Sequence, residues 1–188
     1  MAVLRKWTHT FAFLIAALVG MAGVIGLAWC NKQQSRPAVA HQELVRGVWV
    51  TSQVSLEDIR GGKLHGARML IDLRPDGEAP DQPPSAQVAD AARAAGIDFA
   101  YIPVAHGAIA DEAVTKLRST LAGQPGPALL YCHSGSRAAR TWALGEATDE
   151  RGLPAATIRD IVARAGFATR DLDADIDARI AARKQGAN

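Results

Sequence analysis

The segment YCHSGSRAAR, from Tyr131 to Arg140, brings a cysteine, a serine/glycine turn and an arginine together within a few residues. Cys132 follows an apolar run, and a helical pattern begins at Ser136. Backbone N–H groups at the start of a helix are unpaired and carry partial positive charge. Gly135 lets successive N–H groups converge on one point, where a thiol would lose its proton easily. The segment therefore predicts a nucleophilic cysteine inside an anion-binding loop.

The loop between Cys132 and Arg137 supplies the remaining candidate residues. Arg137 adds a fixed, planar charge that can hold an oxyanion by two hydrogen bonds, so these two residues are the predicted catalytic pair. A lone cysteine that ends an apolar strand is often only a small buried hydrophobe. The glycine, the arginine and the helix onset beside it favour a functional site instead. We assign substrate binding to Arg137 and to the four residues between the pair, which are His133, Ser134, Gly135 and Ser136.

Composition argues against several classes of function. A chain of 188 residues is expected to make one domain, and its net charge of +2, without a basic stripe interleaved with aromatics, predicts no nucleic-acid partner. Two cysteines are too few for a disulfide framework, and no Cys/His spacing is typical of a zinc site. The motifs of P-loops, serine-hydrolase elbows and dinucleotide sites are absent. No metal or organic cofactor is implied.

An apolar run occupies the N-terminal part of the chain. Residues 11–30 contain no charge, and as a helix they would span about 30 Å, the thickness of a bilayer core. We therefore predict a single-pass membrane anchor, with a flank at 1–10 before it, a tether at 31–44 after it and a domain at 45–188. A cleaved signal peptide, with Ala38–Ala40 as the cleavage site, is the alternative. The free amino terminus favours a domain on the non-cytoplasmic, periplasmic side.

The rest of the chain alternates strand and helix patterns. Such alternation is typical of an α/β fold with a central parallel sheet flanked by helices. Ligands bind beyond the carboxyl ends of parallel strands, which is where Cys132 falls. Asp72 and Arg74 lie at the end of a neighbouring strand, and the topology favours a salt bridge by which they support the loop. Strands are predicted at 47–53, 68–73, 99–104 and 128–132, and helices at 55–60, 85–95, 109–122, 136–146, 154–165 and 170–182.

Three segments resemble a known family. They are RPDGE at 74–78, YIPV at 101–104 and GPALLYCHSGSRAARTWAL at 126–144, and they are similar to the phosphatase-like domain of beta-lactamase-hydrolase-like proteins. That domain belongs to the dual-specificity phosphatase superfamily, which has the three-layer fold of protein tyrosine phosphatases. The resemblance covers about residues 45–182. It implies Cys132 as the nucleophile, the amides of the loop as the cradle and Arg137 as the anion clamp, and it leaves the reaction open between phosphate hydrolysis and sulfur transfer.

The length of the loop favours sulfur transfer. Protein tyrosine phosphatases place five residues between cysteine and arginine, whereas this chain has four and is similar to the CxxGxR loop of many rhodaneses. A single sulfane sulfur needs a narrower ring of amides than a phosphoryl group does. Ala138 also stands where phosphatases commonly carry a Ser or Thr hydroxyl, and Tyr131 stands where they carry histidine. We therefore expect a membrane-anchored sulfurtransferase that carries sulfane sulfur as a persulfide on Cys132, with a small thiol, persulfide or thiosulfate-like substrate.

Two alternatives stay open. The first is a dual-specificity or tyrosine-type phosphatase that forms a phosphocysteine on Cys132 and acts on a phosphoester. Ester cleavage needs an acid for the leaving oxygen. The loop after YIPV has no aspartate at the usual place, so Asp76 or Asp111 would take that role, and His106 in the same loop is interpreted as a turn residue. The second alternative is a non-catalytic anion-binding module.

Overall fold

Five short strands form one sheet in the computed structural model, which describes residues 38–124 and 126–186. All neighbouring strands run parallel except the first pair, which is antiparallel. The last strand of the chain lies at the centre of the sheet. The strands are β1 (Gln42–Val45), β2 (Val48–Thr51), β3 (Met69–Asp72), β4 (Asp98–Tyr101) and β5 (Ala128–Tyr131), in the spatial order β1-β2-β5-β3-β4.

Helices connect and follow the strands. The local sequence sets several helix ends: the Ser55 side chain accepts a hydrogen bond from the backbone N–H of Asp58 and caps the first helix. Gly96 follows the second helix with φ of 70°, a left-handed conformation that suits glycine. The α-helices are α1 (Leu56–Arg60), α2 (Ser85–Ala94), α3 (Asp111–Ala122), α4 (Ser136–Thr148), α5 (Ala155–Arg164) and α6 (Asp173–Gly186), with a 3-10 helix at Arg170–Leu172 before α6.

The sheet is buried on both faces. Leu70 and Leu129 point to one face, which α1 and α2 cover, whereas Ile71 and Leu130 point to the other, which α3 to α6 cover. This division follows the two-residue period of side chains along a strand. Helix α4 lies deepest among the helices, with most of its residues buried, and it begins directly after the loop that contains Cys132.

The predicted α/β fold, with a mostly parallel central sheet flanked by helices, is confirmed. The sheet is not wholly parallel, however, because Gln42–Val45, most of which we assigned to the tether, form the antiparallel edge strand β1. The segment QELV has no strand pattern because it begins with two polar residues, which are exposed in the structure. A bulge between Glu43 and Val45 also interrupts its pairing with β2. The helix predicted at 170–182 instead begins with the 3-10 turn and extends to Gly186.

The predicted anchor at 11–30 lies outside the described residues, and so do the flank and part of the tether. Within the described ranges, no helix combines the length and the hydropathy that crossing a bilayer requires.

Candidate functional site

Cys132 is the first residue after the central strand β5 and is 1% exposed. Strand register places the preceding Tyr131 level with Thr51 of β2 and Asp72 of β3, so the cysteine leaves the sheet between two flanking strand ends. The backbone N–H of Gly135 donates a hydrogen bond to Cys132 Sγ at 3.2 Å. The loop therefore curls back over the sulfur and holds it with a main-chain donor.

Gly135 allows this curl because it has φ of 91° and begins helix α4. A Cβ at this position would lie 2.9 Å from a ring carbon of Phe167 and 3.2 Å from the carbonyl oxygen of Thr51. Both the backbone conformation and the space therefore exclude a larger residue. The start of the loop is fixed as well, since the carbonyl of His133 accepts a hydrogen bond from the backbone N–H of Gln53 at 3.3 Å.

Arg137 is held in place by two acceptors that lie far from it in sequence. Its Nη1 and Nη2 donate to Oε1 and Oε2 of Glu78 at 2.6 and 2.7 Å, and Nη1 also donates to the carbonyl of Val104 at 2.6 Å. Among the described residues these hydrogen bonds to oxygen use three of the five N–H donors of the guanidinium. The donors of Nε and one of Nη2 form the edge that remains, and the guanidinium also interacts with Cys132. The two remaining donors lie side by side, as a bidentate oxyanion requires. The pKa of Arg137 is raised, chiefly by its bond to Glu78 and partly by Cys132, so the guanidinium lies close to the sulfur.

A second arginine supports Glu78 from the other side. Arg74, 5% exposed, donates through Nε to Glu78 Oε2 at 3.0 Å and through Nη1 to Gln53 Oε1 at 2.9 Å. The bond from Arg137, followed by that from Arg74, lowers the pKa of Glu78 to about 2. Glu78 is therefore a carboxylate at any ordinary pH, and it fixes Arg137 electrostatically. We call Gln53, Arg74, Glu78 and Arg137 the loop network.

Asp72 lies under this network in the sheet. It is 1% exposed, and its Oδ1 accepts a hydrogen bond from the backbone N–H of Arg74 at 2.8 Å. Burial raises the pKa of Asp72 to about 6, although its hydrogen bonds oppose the shift. Burial also raises the pKa of the neighbouring Tyr131. The side chain of Arg74 thus pairs with Glu78, and Asp72 contributes through the Arg74 backbone.

The two aspartates named as candidate acids lie in other contacts. Both carboxylate oxygens of Asp76 accept hydrogen bonds from Ser85, at 2.7 Å from its backbone N–H and 2.7 Å from its hydroxyl, at the start of α2. Asp111 is the first residue of α3, is 80% exposed and pairs with Arg179.

The structure brings Cys132, Gly135 and Arg137 together with residues that the sequence did not single out. His133 and Ser134 are exposed at the surface of the loop, and Ser136 is half-buried. Glu78 belongs to the RPDGE segment, which carries part of the family resemblance. Nothing in the spacing of that segment indicates that Glu78 pairs with Arg137, 59 residues further along the chain. No sequence pattern indicates the roles of Gln53 and the Val104 carbonyl, because side-chain amides and backbone carbonyls occur throughout any protein.

A separate set of ion pairs joins the C-terminal helices to one another and to the start of α3. We call it the tail network, and its aspartate side chains are 42% to 80% exposed. It consists of Arg159 with Asp173 and Asp177, and of Arg179 with Asp111 and Asp175.

Comparison with other proteins identifies close sequence relatives of this chain. Residues 41–149 match the family described as beta-lactamase hydrolase-like protein, phosphatase-like domain. The beta-lactamase hydrolase-like protein of Agrobacterium fabrum (strain C58) is 34% identical over 118 residues, which are 63% of this chain and 27% of the relative. Its counterpart in Xylella fastidiosa (strain Temecula1) is 33% identical over 102 residues, 54% of this chain and 24% of the relative. The chain therefore spans about a quarter of the length of these curated relatives.

Solved structures share the fold. A candidate phosphatase of Neisseria meningitidis Z2491 aligns with a TM-score of 0.64 and 25% identity, over 73% of this chain and 96% of that chain. The core catalytic domain of the PP-IP phosphatase Siw14 from S. cerevisiae aligns with a TM-score of 0.57 and 17% identity, over 80% and 95%, a likeness that shows the fold alone. These comparisons favour the phosphatase alternative over the sulfurtransferase that we expected, which they do not support. The sequence match extends from β1 to the end of α4, and the chain belongs to the family of the phosphatase-like domain of beta-lactamase hydrolase-like proteins.

Proposed function

We propose that this chain is a cysteine-dependent phosphatase that hydrolyses a phosphate monoester through a phosphocysteine on Cys132. The observation that carries the proposal is the state of Arg137. Glu78 and Val104 hold one edge of its guanidinium, and the other edge, which lies beside Cys132, presents Nε and Nη2 as a fork for two oxygens of one anion. A persulfide presents one terminal sulfur and would use this fork poorly, whereas a phosphoryl group presents three oxygens.

The loop supplies the other requirements of phosphoryl transfer. Charge on the transferred group is spread over its equatorial oxygens, so catalysis depends on positioning and on fixed donors. Cys132 lies at the closed end of the cradle with a main-chain donor on its sulfur, and the amides of His133 to Arg137 begin a helix whose dipole favours an anion. Glu78 holds Arg137 rigidly, so little reorganisation is needed when the ester binds.

Sulfur transfer is the second candidate, because the loop has four residues between Cys132 and Arg137 rather than five. In addition, Ala138 offers no hydroxyl to assist the departure of the thiolate from phosphocysteine and is fully buried. A thiolate that leaves readily can pass on sulfane sulfur without an acid. Membrane attachment through residues 11–30 remains a prediction under either function.

Parallel assays on the purified full-length chain separate the two candidates. A phosphatase should turn over 2,4-dinitrophenyl phosphate, an activated ester, and should lose that activity completely in Cys132→Ser. Arg137→Lys keeps the charge but removes the fork, and we expect kcat/KM to fall by about 100-fold or more. Arg140→Lys, three residues along on the same helix, is the matched control and should retain activity within a few-fold.

Mass spectrometry after incubation with thiosulfate or a persulfide tests the second candidate. One added sulfur on Cys132, absent in Cys132→Ser, together with no ester turnover, would overturn the phosphatase and establish sulfur transfer. Neither activity, in a folded protein with an intact loop, would favour the non-catalytic anion-binding module.

A further inference from the structure

Cleavage of an unactivated phosphate ester needs a proton for the leaving oxygen, and the carboxyl groups near Arg137 do not offer one. Glu78, with its pKa lowered to about 2, has no proton to give. Asp72 has a raised pKa but is 1% exposed inside the sheet, where no leaving group can reach it. Asp76 uses both oxygens to cap α2, and Asp111 pairs with Arg179. The proton donor must therefore come from another kind of side chain.

The loop that follows β4 lies directly against the cradle. Its first contact is the Val104 carbonyl, which accepts a hydrogen bond from Arg137 Nη1 at 2.6 Å. Two residues later, His106 places its Nε2 3.6 Å from Glu78 Oε1, the same oxygen that accepts the other Nη1 hydrogen bond of Arg137. Arg137 and His106 thus contact one carboxylate atom, although they lie on different elements. His106 lies in a bend, in keeping with the turn predicted for it, and also contacts the carboxylate that holds Arg137.

The exposure of His106 also suits a group that must reach a departing oxygen. Cys132 is 1% exposed and attacks from the closed end of the cradle. In an in-line displacement the leaving oxygen lies opposite the attacking atom, so it faces the open side. The His106 side chain is 82% exposed, and its Nε2 lies beside the Glu78–Arg137 pair, whose side chains are 16% and 9% exposed. An imidazole ring donates and accepts protons near neutral pH, which the arginines of this site cannot do.

We infer that His106 is the catalytic acid that protonates the leaving oxygen, an assignment that rests on the proposed phosphatase function. In the first step the Cys132 thiolate forms the S–P bond and the P–O ester bond breaks. The electron pair of that bond stays on the leaving oxygen, which takes the proton from Nε2 of the imidazolium. In the second step water attacks phosphorus, its proton passes to the neutral imidazole, and the S–P bond breaks to restore the thiolate.

Two esters that differ in the need for an acid test this assignment. The leaving group of 2,4-dinitrophenyl phosphate is stable as an anion, whereas phenyl phosphate releases a poor leaving group that requires a proton. In the full-length chain we expect His106→Gln to lower kcat/KM for phenyl phosphate by about 100-fold or more and to change that for the dinitrophenyl ester by less than about fivefold. His65→Gln replaces an exposed histidine outside the site, whose Nε2 contacts the carbonyl of Val39, and is the matched control, which should leave the ratio of the two esters unchanged.

The outcomes distinguish the two proposals. An equal loss on both esters in His106→Gln would overturn the acid assignment, because a residue that only binds phosphate or shapes the loop affects them alike. A comparable selective loss in His65→Gln would overturn it too, because the effect would then not be specific to the site. If the wild-type chain turns over neither ester, the proposed function fails and the assignment fails with it. If the dinitrophenyl ester is hydrolysed through Cys132 while His106→Gln keeps the wild-type ratio of the two esters, only the assignment fails.

Discussion

The loop network and the tail network contain the same kinds of residue, yet their surroundings give them different consequences. In the loop network, Arg74 and Arg137 are less than 10% exposed, and a single carboxylate, Glu78, serves both. In the tail network each arginine has two exposed aspartates, so the loss of one leaves another. Exposed pairs contribute little to stability, whereas a buried charge without its partner is costly. Burial and a lack of substitutes, rather than the number of ion pairs, therefore distinguish the network around the proposed site.

Among the variants that test this difference between the networks, Glu78→Gln should have the largest combined effect on stability and activity. It replaces the carboxylate shared by two buried guanidinium groups with a neutral amide, and we expect the free energy of unfolding to fall by about 2–3 kcal/mol. Misplacement of Arg137 should lower kcat/KM for an aryl phosphate by about 100-fold. Urea unfolding and steady-state kinetics measure the two effects. Asp175→Asn, in the tail network, is the matched control and should cost less than about 0.5 kcal/mol without a kinetic change. Equal losses in the free energy of unfolding in the two variants would show that the two networks do not differ in their contribution to stability.

Gly135→Ala tests the same contrast at the level of the backbone. The new Cβ meets Phe167 and Thr51 at a φ of 91°, so strain and crowding together should destabilise the protein by about 3 kcal/mol. Gly166→Ala in the C-terminal part has a similar φ of 84° but open space around it, and should cost only about 1 kcal/mol. Denaturation midpoints compare the two variants. A Gly135→Ala protein as stable as Gly166→Ala would show that the loop is not tightly packed.

Asp72→Asn should change stability in a pH-dependent way. Burial raises the pKa of Asp72 to about 6, so the wild-type protein has the full contribution of the protonated group below its ordinary pKa of 3.8 and loses it as the pH rises through about 6. Asn keeps an acceptor for the Arg74 N–H and does not ionise. The variant should therefore be more stable than wild type at pH 8, by about 2 kcal/mol, and the gain should vanish near pH 4. Unfolding curves at several pH values measure it.

Asp149→Asn is the control of opposite sign for this experiment. Hydrogen bonding from Arg118 lowers the pKa of Asp149, so the wild-type protein has its advantage over this variant at neutral pH and loses it as the pH falls. A pH-independent difference between Asp72→Asn and wild type would contradict the burial of an uncharged Asp72.

Asp111→Asn should have the smallest effect. The side chain is 80% exposed, and Arg179 retains Asp175, so we expect a change in stability below about 0.5 kcal/mol. Turnover of phenyl phosphate should stay within about twofold of wild type, because the assigned acid is His106. A tenfold selective loss on this ester would instead make Asp111 the acid and give the tail network a catalytic member.

The sequence predicted the parts of the molecule that depend on local pattern. Short apolar runs and helical patterns predicted four of the five described strands and all the described α-helices, within a few residues at their ends. The strand that was missed, β1, is a short edge strand with a bulge, and its residues look like any polar linker. Cys132, Gly135 and Arg137 could be found because the chemistry of an anion-binding loop is local to six residues.

The supports of that loop could not be predicted, because they come from other strands. Glu78 lies 59 residues from Arg137, and neither spacing nor residue type indicates the pairing. His106 was interpreted as a turn residue for the same reason, since only the fold brings its loop over Glu78. The preference for sulfur transfer rested on counting residues between Cys132 and Arg137, and this count does not report which donors of the arginine remain free to bind substrate.

The position of β5 also has a consequence for how the protein is made. This strand is the last of the five in order of synthesis, yet it inserts between β2 and β3, which cannot bond to each other across the gap it fills. Ladders between strands far apart in sequence form late, since the chain must first close long loops. Gln53, Arg74 and Glu78 therefore precede Cys132 in synthesis, but the loop that follows Cys132 can take its clamped form only when β5 has inserted and the sheet is finished.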